Sequence, residues 1–211
     1  MEQLSFFAFS GQSKGLPGDV LEYRAGFIDQ NKSDLLLKVF IQCIPWQQKL
    51  VKMYDRELLT PRLTAWYGDS EGIDYSSLGK SNPLAWTAEL LELKRLVEPV
   101  SGIHFNSVLL NYYRDGRDSV AWHSDKETAI GSHPIIASVS FGAVRNFDIR
   151  KKEDHQQKHS VRLGHGSLLI MKGNLQSEWE HRIAKTTHNI GPRINLTFRK
   201  IVGPAANGTG L

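Results

Sequence analysis

The residues in this chain with the types and spacing for metal chemistry are His123 and Asp125, in the run Trp122-His123-Ser124-Asp125. Side chains at positions i and i+2 of an extended strand point to the same face, so this imidazole and carboxylate project together. His181 stands further along the chain and offers a third ligand. Two histidines and one carboxylate leave open positions on a metal, the arrangement of non-heme Fe(II) oxygenases. An H-x-D pair alone also fits two ordinary surface residues.

A second pattern lies near the C-terminus, where residues 193–199 alternate strictly between polar and apolar side chains. The apolar positions would form one face of a strand, and the opposite face would carry Arg193, Asn195, Thr197 and Arg199. Guanidinium groups bind carboxylates through two parallel hydrogen bonds, so this polar face suits a pocket for a dicarboxylate. The same alternation fits an edge strand with a solvated polar face.

The elements that would position these residues are short strands preceded by helices. The sequence predicts helices over residues 34–43, capped by Ser33, and 87–97, capped by Thr87 and followed by Pro99. Glycine-containing turns then separate seven predicted strands, at residues 108–113, 135–141, 145–151, 160–163, 167–171, 179–183 and 194–201. Many short strands after a helical front predict a mainly β fold with helices (α+β), namely a double-stranded β-helix (jelly roll) backed by N-terminal helices.

Composition sets wide limits. A length of 211 residues suits one domain. The net charge of +4 and the pI of about 9.1 permit a polyanionic partner, but both are common in proteins that bind no nucleic acid. The single cysteine, Cys43, excludes an internal disulfide and fits a reducing compartment. Neither a secretory signal nor a membrane span is visible, so we expect an intracellular protein, in the cytoplasm or, in a eukaryote, the nucleus.

Together these motifs resemble the AlkB family of Fe(II)- and 2-oxoglutarate-dependent dioxygenases. Further stretches that resemble the family are Asn111-Tyr112-Tyr113 and residues 61–68 (PRLTAWYG), 134–142 (PIIASVSFG) and 165–171 (HGSLLIM). The resemblance extends over residues 61–202 and is strongest for the branch that repairs alkylated nucleic acid. It implies one dioxygenase domain over residues 1–211, divided into an N-terminal extension and helix (1–60), a nucleotide lid and support helix (61–104), a jelly-roll core (105–202) and a tail (203–211).

The resemblance also implies a set of cofactors and the residues that bind them. Fe(II) would be held by His123, Asp125 and His181, with O₂ and 2-oxoglutarate as co-substrates. Arg193 is expected at the distal carboxylate of 2-oxoglutarate, and Arg199 nearer the metal. Additional hydrogen bonds to 2-oxoglutarate are expected from Asn111, Tyr113, Asn195 and Thr197.

The reaction that the resemblance implies is oxidative demethylation of N-alkylated bases, such as 1-methyladenine and 3-methylcytosine, with release of formaldehyde. Trp66 and Tyr75 are the candidates to stack on the base opposite His123. Glu127 would meet the exocyclic amine and favour a cationic lesion, although it also fits a solvated glutamate in a turn. Ser77 stands where relatives often carry a further aromatic residue, so one wall around the base is weaker or supplied from elsewhere.

Residues 145–162 form a basic segment that we expect to contact phosphates, in particular through Arg150. Its basic residues are Arg145, Arg150, Lys151, Lys152, Lys158 and Arg162. Such a charge run also fits a solvated face. The expected partner is alkylated DNA, RNA or both, with no membrane and no obligate protein partner, and the expected state is a monomer. Two alternatives are an Fe(II)/2-oxoglutarate hydroxylase of a protein or small molecule, and a non-catalytic nucleic-acid-binding module.

Overall fold

The computed structural model describes residues 17–53, 56–70, 75, 81–125 and 133–202. This part of the chain contains three helices, α1 Gln30–Cys43, α2 Ala88–Ser101 and α3 Leu175–Glu178. Its strands are β1 Leu21–Arg24, β2 Leu50–Met53, β3 Arg56–Leu59, β4 Leu63–Gly68, β5 Ser107–Tyr113, β6 Val120–His123, β7 Ile136–Gly142, β8 Arg145–Lys151, β9 Lys158–Leu163, β10 Ser167–Met171, β11 Trp179–Ile183 and β12 Arg193–Arg199. None of these helices has the length and apolar character needed to cross a bilayer.

The strands form two facing antiparallel sheets and a separate hairpin. The major sheet has six strands in the order β1-β10-β7-β12-β5-β4, and the minor sheet has four in the order β6-β11-β8-β9. Strands β2 and β3 form the hairpin. This arrangement confirms the predicted mainly β fold, in which two antiparallel sheets make a jelly roll backed by helices.

The alternation along β12 divides two apolar cores. Ile194, Leu196 and Phe198 are fully buried in a core that α1 and α2 share with the back of the major sheet. A second core lies between the two sheets and includes residues of both, such as Leu169 of β10 and Ile149 of β8. Because β12 pairs with β5 on one side and β7 on the other, it is a central strand, and its polar face lies between the sheets. The alternative of a solvated edge strand is therefore wrong.

The first helix begins one turn earlier than its sequence pattern predicts. Asp29 is the N-cap, and its carboxylate accepts a hydrogen bond from the Lys32 backbone N–H at 2.9 Å. The predicted cap, Ser33, is buried inside α1, where its hydroxyl donates to the Ile28 carbonyl at 3.3 Å. Both residue types are good caps, and Asp29 prevails because its carboxylate reaches a free N–H of the first turn.

The second helix confirms one expectation and corrects another. Thr87 is the N-cap, with its hydroxyl accepting from the Leu90 backbone N–H at 3.4 Å. The helix continues through Pro99 to Ser101, so the predicted end before the proline is wrong. It ends where Gly102 adopts a left-handed conformation, φ +71°, and donates its N–H to a carbonyl of the last turn. The glycine, not the proline, sets this boundary.

Candidate active site

The structure brings the three predicted metal ligands together at one edge of the minor sheet. Strands β6 and β11 pair so that His123 stands directly opposite His181. Asp125 follows two residues after His123, just beyond the end of β6. One ligand atom from each of the three side chains lies within 4.8 Å of the others. Three residues distant in sequence therefore form a potential metal-binding cluster.

Both imidazoles are held in forms that suit metal binding. The Nδ1 of His123 donates to the Ala121 carbonyl at 2.9 Å, which leaves the lone pair on Nε2 for a metal. His181 is 5% exposed; burial, with the neighbouring His123, lowers its pKa to about 3, so the ring is neutral at physiological pH. Its buried Nδ1 has no hydrogen-bond partner among the residues that the structure describes. Two imidazoles and one carboxylate are ligands that Fe(II) accepts.

The carboxylate of Asp125 is fixed by an arginine on the neighbouring sheet. Arg199 donates from Nε and Nη2 to Oδ2 of Asp125 at 3.0 and 2.9 Å, and from Nη2 to Oδ1 at 3.0 Å. The backbone N–H of Asp125 also donates to Gln176 Oε1 at 2.8 Å. Burial alone would raise the pKa of Asp125, but the positive charge and the hydrogen bonds of Arg199 lower it below its usual value. The Asp125 carboxylate is thus ionised and oriented, and Arg199 lies beside the potential metal-binding cluster.

Arg193, at the other end of β12, is a buried cation with unused donors. It is 1% exposed, and its Nη2 donates to Ser140 Oγ at 3.0 Å and to Asn195 Oδ1 at 2.8 Å. Its Nε and Nη1 are buried without a partner in the described part of the chain, where no carboxylate pairs with it. Burial lowers its pKa to about 10, so it stays charged at neutral pH. Such a group fits a carboxylate ligand, as the distal end of 2-oxoglutarate would supply.

The other predicted co-substrate residues share this inner face. Tyr113 and Asn111 on β5 stand opposite Arg193 and Asn195 on β12. Asn195 donates from Nδ2 to Thr197 Oγ1 at 2.9 Å, so the polar residues of β12 orient one another. The six residues named from the sequence thus lie along two adjacent strands. Their hydrogen bonds to 2-oxoglutarate remain predictions.

Four polar residues of this site were not identified from the sequence. Ser138 and Ser140 on β7 bond to Asn195 and Arg193, and they alternate with apolar residues as the polar residues of β12 do. This alternation of polar and apolar residues along β7 is visible in the sequence and could have identified the two serines. Arg62 donates from Nε to Asn111 Oδ1 at 2.9 Å, and Gln176 bonds to the backbone of Asp125. Neither contact leaves a local sequence pattern, because each partner is distant along the chain.

The predicted base-stacking residues lie in and beside the core between the sheets. Trp66 donates from Nε1 to Ser107 Oγ at 2.6 Å. Tyr75 is 1% exposed and donates its hydroxyl to the Asp69 carbonyl at 2.7 Å. The Trp66 and Tyr75 rings meet edge to face at 5.1 Å between centroids. Glu127 and Ser77 lie outside the described residues, and the roles of all these residues in base binding remain predictions.

The basic segment divides into a buried and a surface part. Arg145 is 4% exposed, and its guanidinium donates hydrogen bonds to three backbone carbonyls. The expectation that it contacts phosphates is therefore wrong. Arg150 lies on the outer face of the minor sheet, 4.1 Å from the ring centroid of Trp122. Arg182 of β11 lies 4.4 Å from the same centroid. Glu180 accepts from Arg150 at 2.5 Å, so this surface mixes both signs of charge.

Comparisons with known proteins agree on one superfamily. A profile described as the 2OG-Fe(II) oxygenase superfamily matches residues 21–199. Alpha-ketoglutarate-dependent dioxygenase alkB homolog 3 of Homo sapiens is 42% identical over 184 residues, 83% of this chain and 64% of the human protein. DNA oxidative demethylase ALKBH2 of Arabidopsis thaliana is 32% identical over 212 residues, 88% of this chain and 67% of the plant protein.

The comparisons also include a similar solved structure. The structure of OsALKBH1 aligns with a TM-score of 0.62 at 13% identity, covering 85% of this chain and 97% of that chain. At this identity the likeness concerns the fold. The chain spans less than two thirds of the length of the alkB homolog 3 proteins it matches.

Proposed function

The chain belongs to the AlkB family of 2OG-Fe(II) oxygenases, and from this premise we propose that it oxidatively demethylates N-alkylated bases in DNA, RNA or both. The main support is the combination of the ligand cluster His123, Asp125 and His181 with the buried guanidinium of Arg193, whose Nε and Nη1 lack partners in the described part of the chain. This combination suits a metal ion beside a dicarboxylate. The relatives named as dioxygenases and as DNA demethylases support the substrate class.

The proposed reaction assigns separate binding roles to the residues of the site. His123, Asp125 and His181 hold Fe(II), while Arg193 and Arg199 hold the two ends of 2-oxoglutarate. Bound Fe(II), 2-oxoglutarate and O₂ supply the oxidation of the N-alkyl carbon, which then leaves as formaldehyde. Placement between two sheets keeps bulk water from the reacting groups. The base leaves its stack, or arrives in a single strand, to reach this site.

A surface for the nucleic-acid backbone lies on the outer face of the minor sheet, next to the metal site. Trp122 precedes the ligand His123 and points to the opposite face of β6. Arg150 and Arg182 rest against its ring, which holds their side chains at a fixed position beside the site. We assign them to phosphate contacts, which add affinity without sequence preference. The protein would act inside the cell as a monomer without an obligate protein partner.

A panel of oligonucleotides tests the proposal. Each carries one 1-methyladenine or 3-methylcytosine, in single- or double-stranded DNA or RNA. The wild-type protein should produce formaldehyde, the restored base and succinate. The His181→Ala variant should produce none of them. Succinate without formaldehyde from every methylated oligonucleotide would point to hydroxylation of a protein or small molecule. Oligonucleotide binding without any turnover, unaffected by His181→Ala, would point to a non-catalytic binding module.

A further inference from the structure

Arg145 is a second buried guanidinium close to the predicted co-substrate pocket, and none of the roles given above uses it. It opens β8, and its nitrogens donate to the carbonyls of Asp115 at 3.2 Å, Asp118 at 2.9 Å and Ala184 at 2.5 Å. These acceptors belong to the β5–β6 loop and to the segment after β11. Arg145 therefore joins the loop that follows Tyr113 to the minor sheet.

The ring of Tyr113 links Arg145 to Arg193. The guanidinium carbon of Arg145 lies 5.7 Å from the ring centroid, and that of Arg193 lies 5.1 Å from it. Tyr113 is itself buried and stands opposite Arg193 across β5 and β12. An aromatic face attracts cations, so one ring is shared by two positive charges.

Two buried cations this close repel each other. Burial lowers the pKa of both arginines, and the charge of Arg145 lowers that of Arg193 further. Asp118 lies near Arg145, but its carboxylate makes two hydrogen bonds with the Arg114 side chain, at 2.8 and 2.9 Å. An anion bound at the free nitrogens of Arg193 would relieve this repulsion. The positive potential of Arg145 should then add to ligand affinity without contact.

We propose that Arg145 is a positioning residue for the distal carboxylate of 2-oxoglutarate, acting through the Tyr113 ring and through its charge. This inference rests on the proposed co-substrate role of Arg193. At an effective dielectric constant of about 20, unit charges about 10 Å apart interact strongly enough to change a binding constant on the order of tenfold. The effect should be confined to ligands that carry a distal carboxylate.

Calorimetric titration of the Mn²⁺-loaded protein tests the inference without measuring turnover. Two ligands are compared: 2-oxoglutarate, and 2-oxopentanoate, which keeps the metal-binding end and lacks the distal carboxylate. Arg145→Gln should lose about tenfold in affinity for 2-oxoglutarate and little for 2-oxopentanoate. The matched control Arg95→Gln removes a charge from the exposed face of α2 and should leave both affinities unchanged.

These titrations test the proposed 2-oxoglutarate pocket and the proposed role of Arg145 separately. Wild-type protein that binds 2-oxopentanoate as tightly as 2-oxoglutarate would contradict the pocket itself. If the wild type prefers 2-oxoglutarate over 2-oxopentanoate and Arg145→Gln shows the same preference, the proposed role of Arg145 is overturned. If Arg145→Gln does not fold, Arg145→Lys carries the test, because it keeps the charge but not the three carbonyl contacts. It should retain the wild-type preference for 2-oxoglutarate over 2-oxopentanoate to within a few-fold, because the charge remains. A loss of about tenfold for 2-oxoglutarate only would show that the charge does not strengthen binding and would refute the proposal.

Discussion

Replacing Arg193 with methionine should stabilise the ligand-free protein while removing its affinity for 2-oxoglutarate. Methionine has a similar volume and no charge. In the ligand-free protein, the charge of Arg193 is buried, and no carboxylate of the described residues forms an ion pair with it. Its Nε and Nη1 also have no hydrogen-bond partner among these residues. Exchange of buried ion pairs for apolar groups of similar volume is often neutral or stabilises proteins by roughly 1–4 kcal/mol.

The expected size of the effect follows from the contacts that are lost. The two hydrogen bonds from Nη2 to Ser140 and Asn195 disappear, at a cost of about 1 kcal/mol, since Ser138 still donates to Asn195 Oδ1. The net gain should be about 0–3 kcal/mol, or up to roughly 10 °C in Tm. Loss of two charge-assisted hydrogen bonds to the ligand, each worth about 1.5–3 kcal/mol, should weaken 2-oxoglutarate binding by at least about a hundredfold.

Scanning calorimetry of the Mn²⁺-loaded protein, with and without 2-oxoglutarate, measures both quantities. At a ligand concentration of about 100 times the wild-type Kd, the wild type should gain about 2.7 kcal/mol, whereas a variant that binds at least a hundredfold more weakly should gain about 0.4 kcal/mol or less. Arg95→Met, at an exposed helix position, is the matched control and should keep the ligand-induced shift. A variant that unfolds below the wild type without ligand and still responds to 2-oxoglutarate would refute the reasoning.

The remaining predictions concern the metal, the base and the nucleic-acid backbone. Asp125→Ala should abolish succinate production because it removes a proposed metal ligand and the anion beside Arg199; turnover at the wild-type rate would exclude the proposed metal site. Glu127→Ala should lower discrimination among methylated bases, assayed by formaldehyde release, while succinate formation without substrate persists; equal loss of both would argue against a role in base selection. Arg150→Gln should weaken oligonucleotide binding and reduce the slope of log K against log salt by about 1; an unchanged slope would remove Arg150 from the phosphate contacts.

The sequence predicted the pattern of β12 well because a period of two is a local property. It identified both faces of the strand, but not that the strand is central, since pairing with β5 and β7 depends on distant segments. The cluster of His123, Asp125 and His181 was predicted through resemblance, and its geometry depends on the pairing of β6 with β11.

The errors arose where burial decides the role of a residue. Arg145 belongs to a run of basic residues in the sequence, yet it is buried and donates to three carbonyls from two separate segments. Ser33 and Asp29 are both good helix caps. Asp29 is the N-cap because α1 begins at Gln30, which the residue types do not reveal. The position of Pro99 predicts an earlier end for α2, but the left-handed Gly102 ends the helix. None of these outcomes can be derived from residue type alone.

The central position of β12 restricts how the chain can change in length. A single insertion or deletion within Arg193–Arg199 would shift the strand by one place and exchange its two faces. Leucine and phenylalanine would then enter the pocket, and two guanidinium groups would be forced under the helices. Length variation among natural homologues should therefore fall in the connections on either side, leaving these seven positions without gaps.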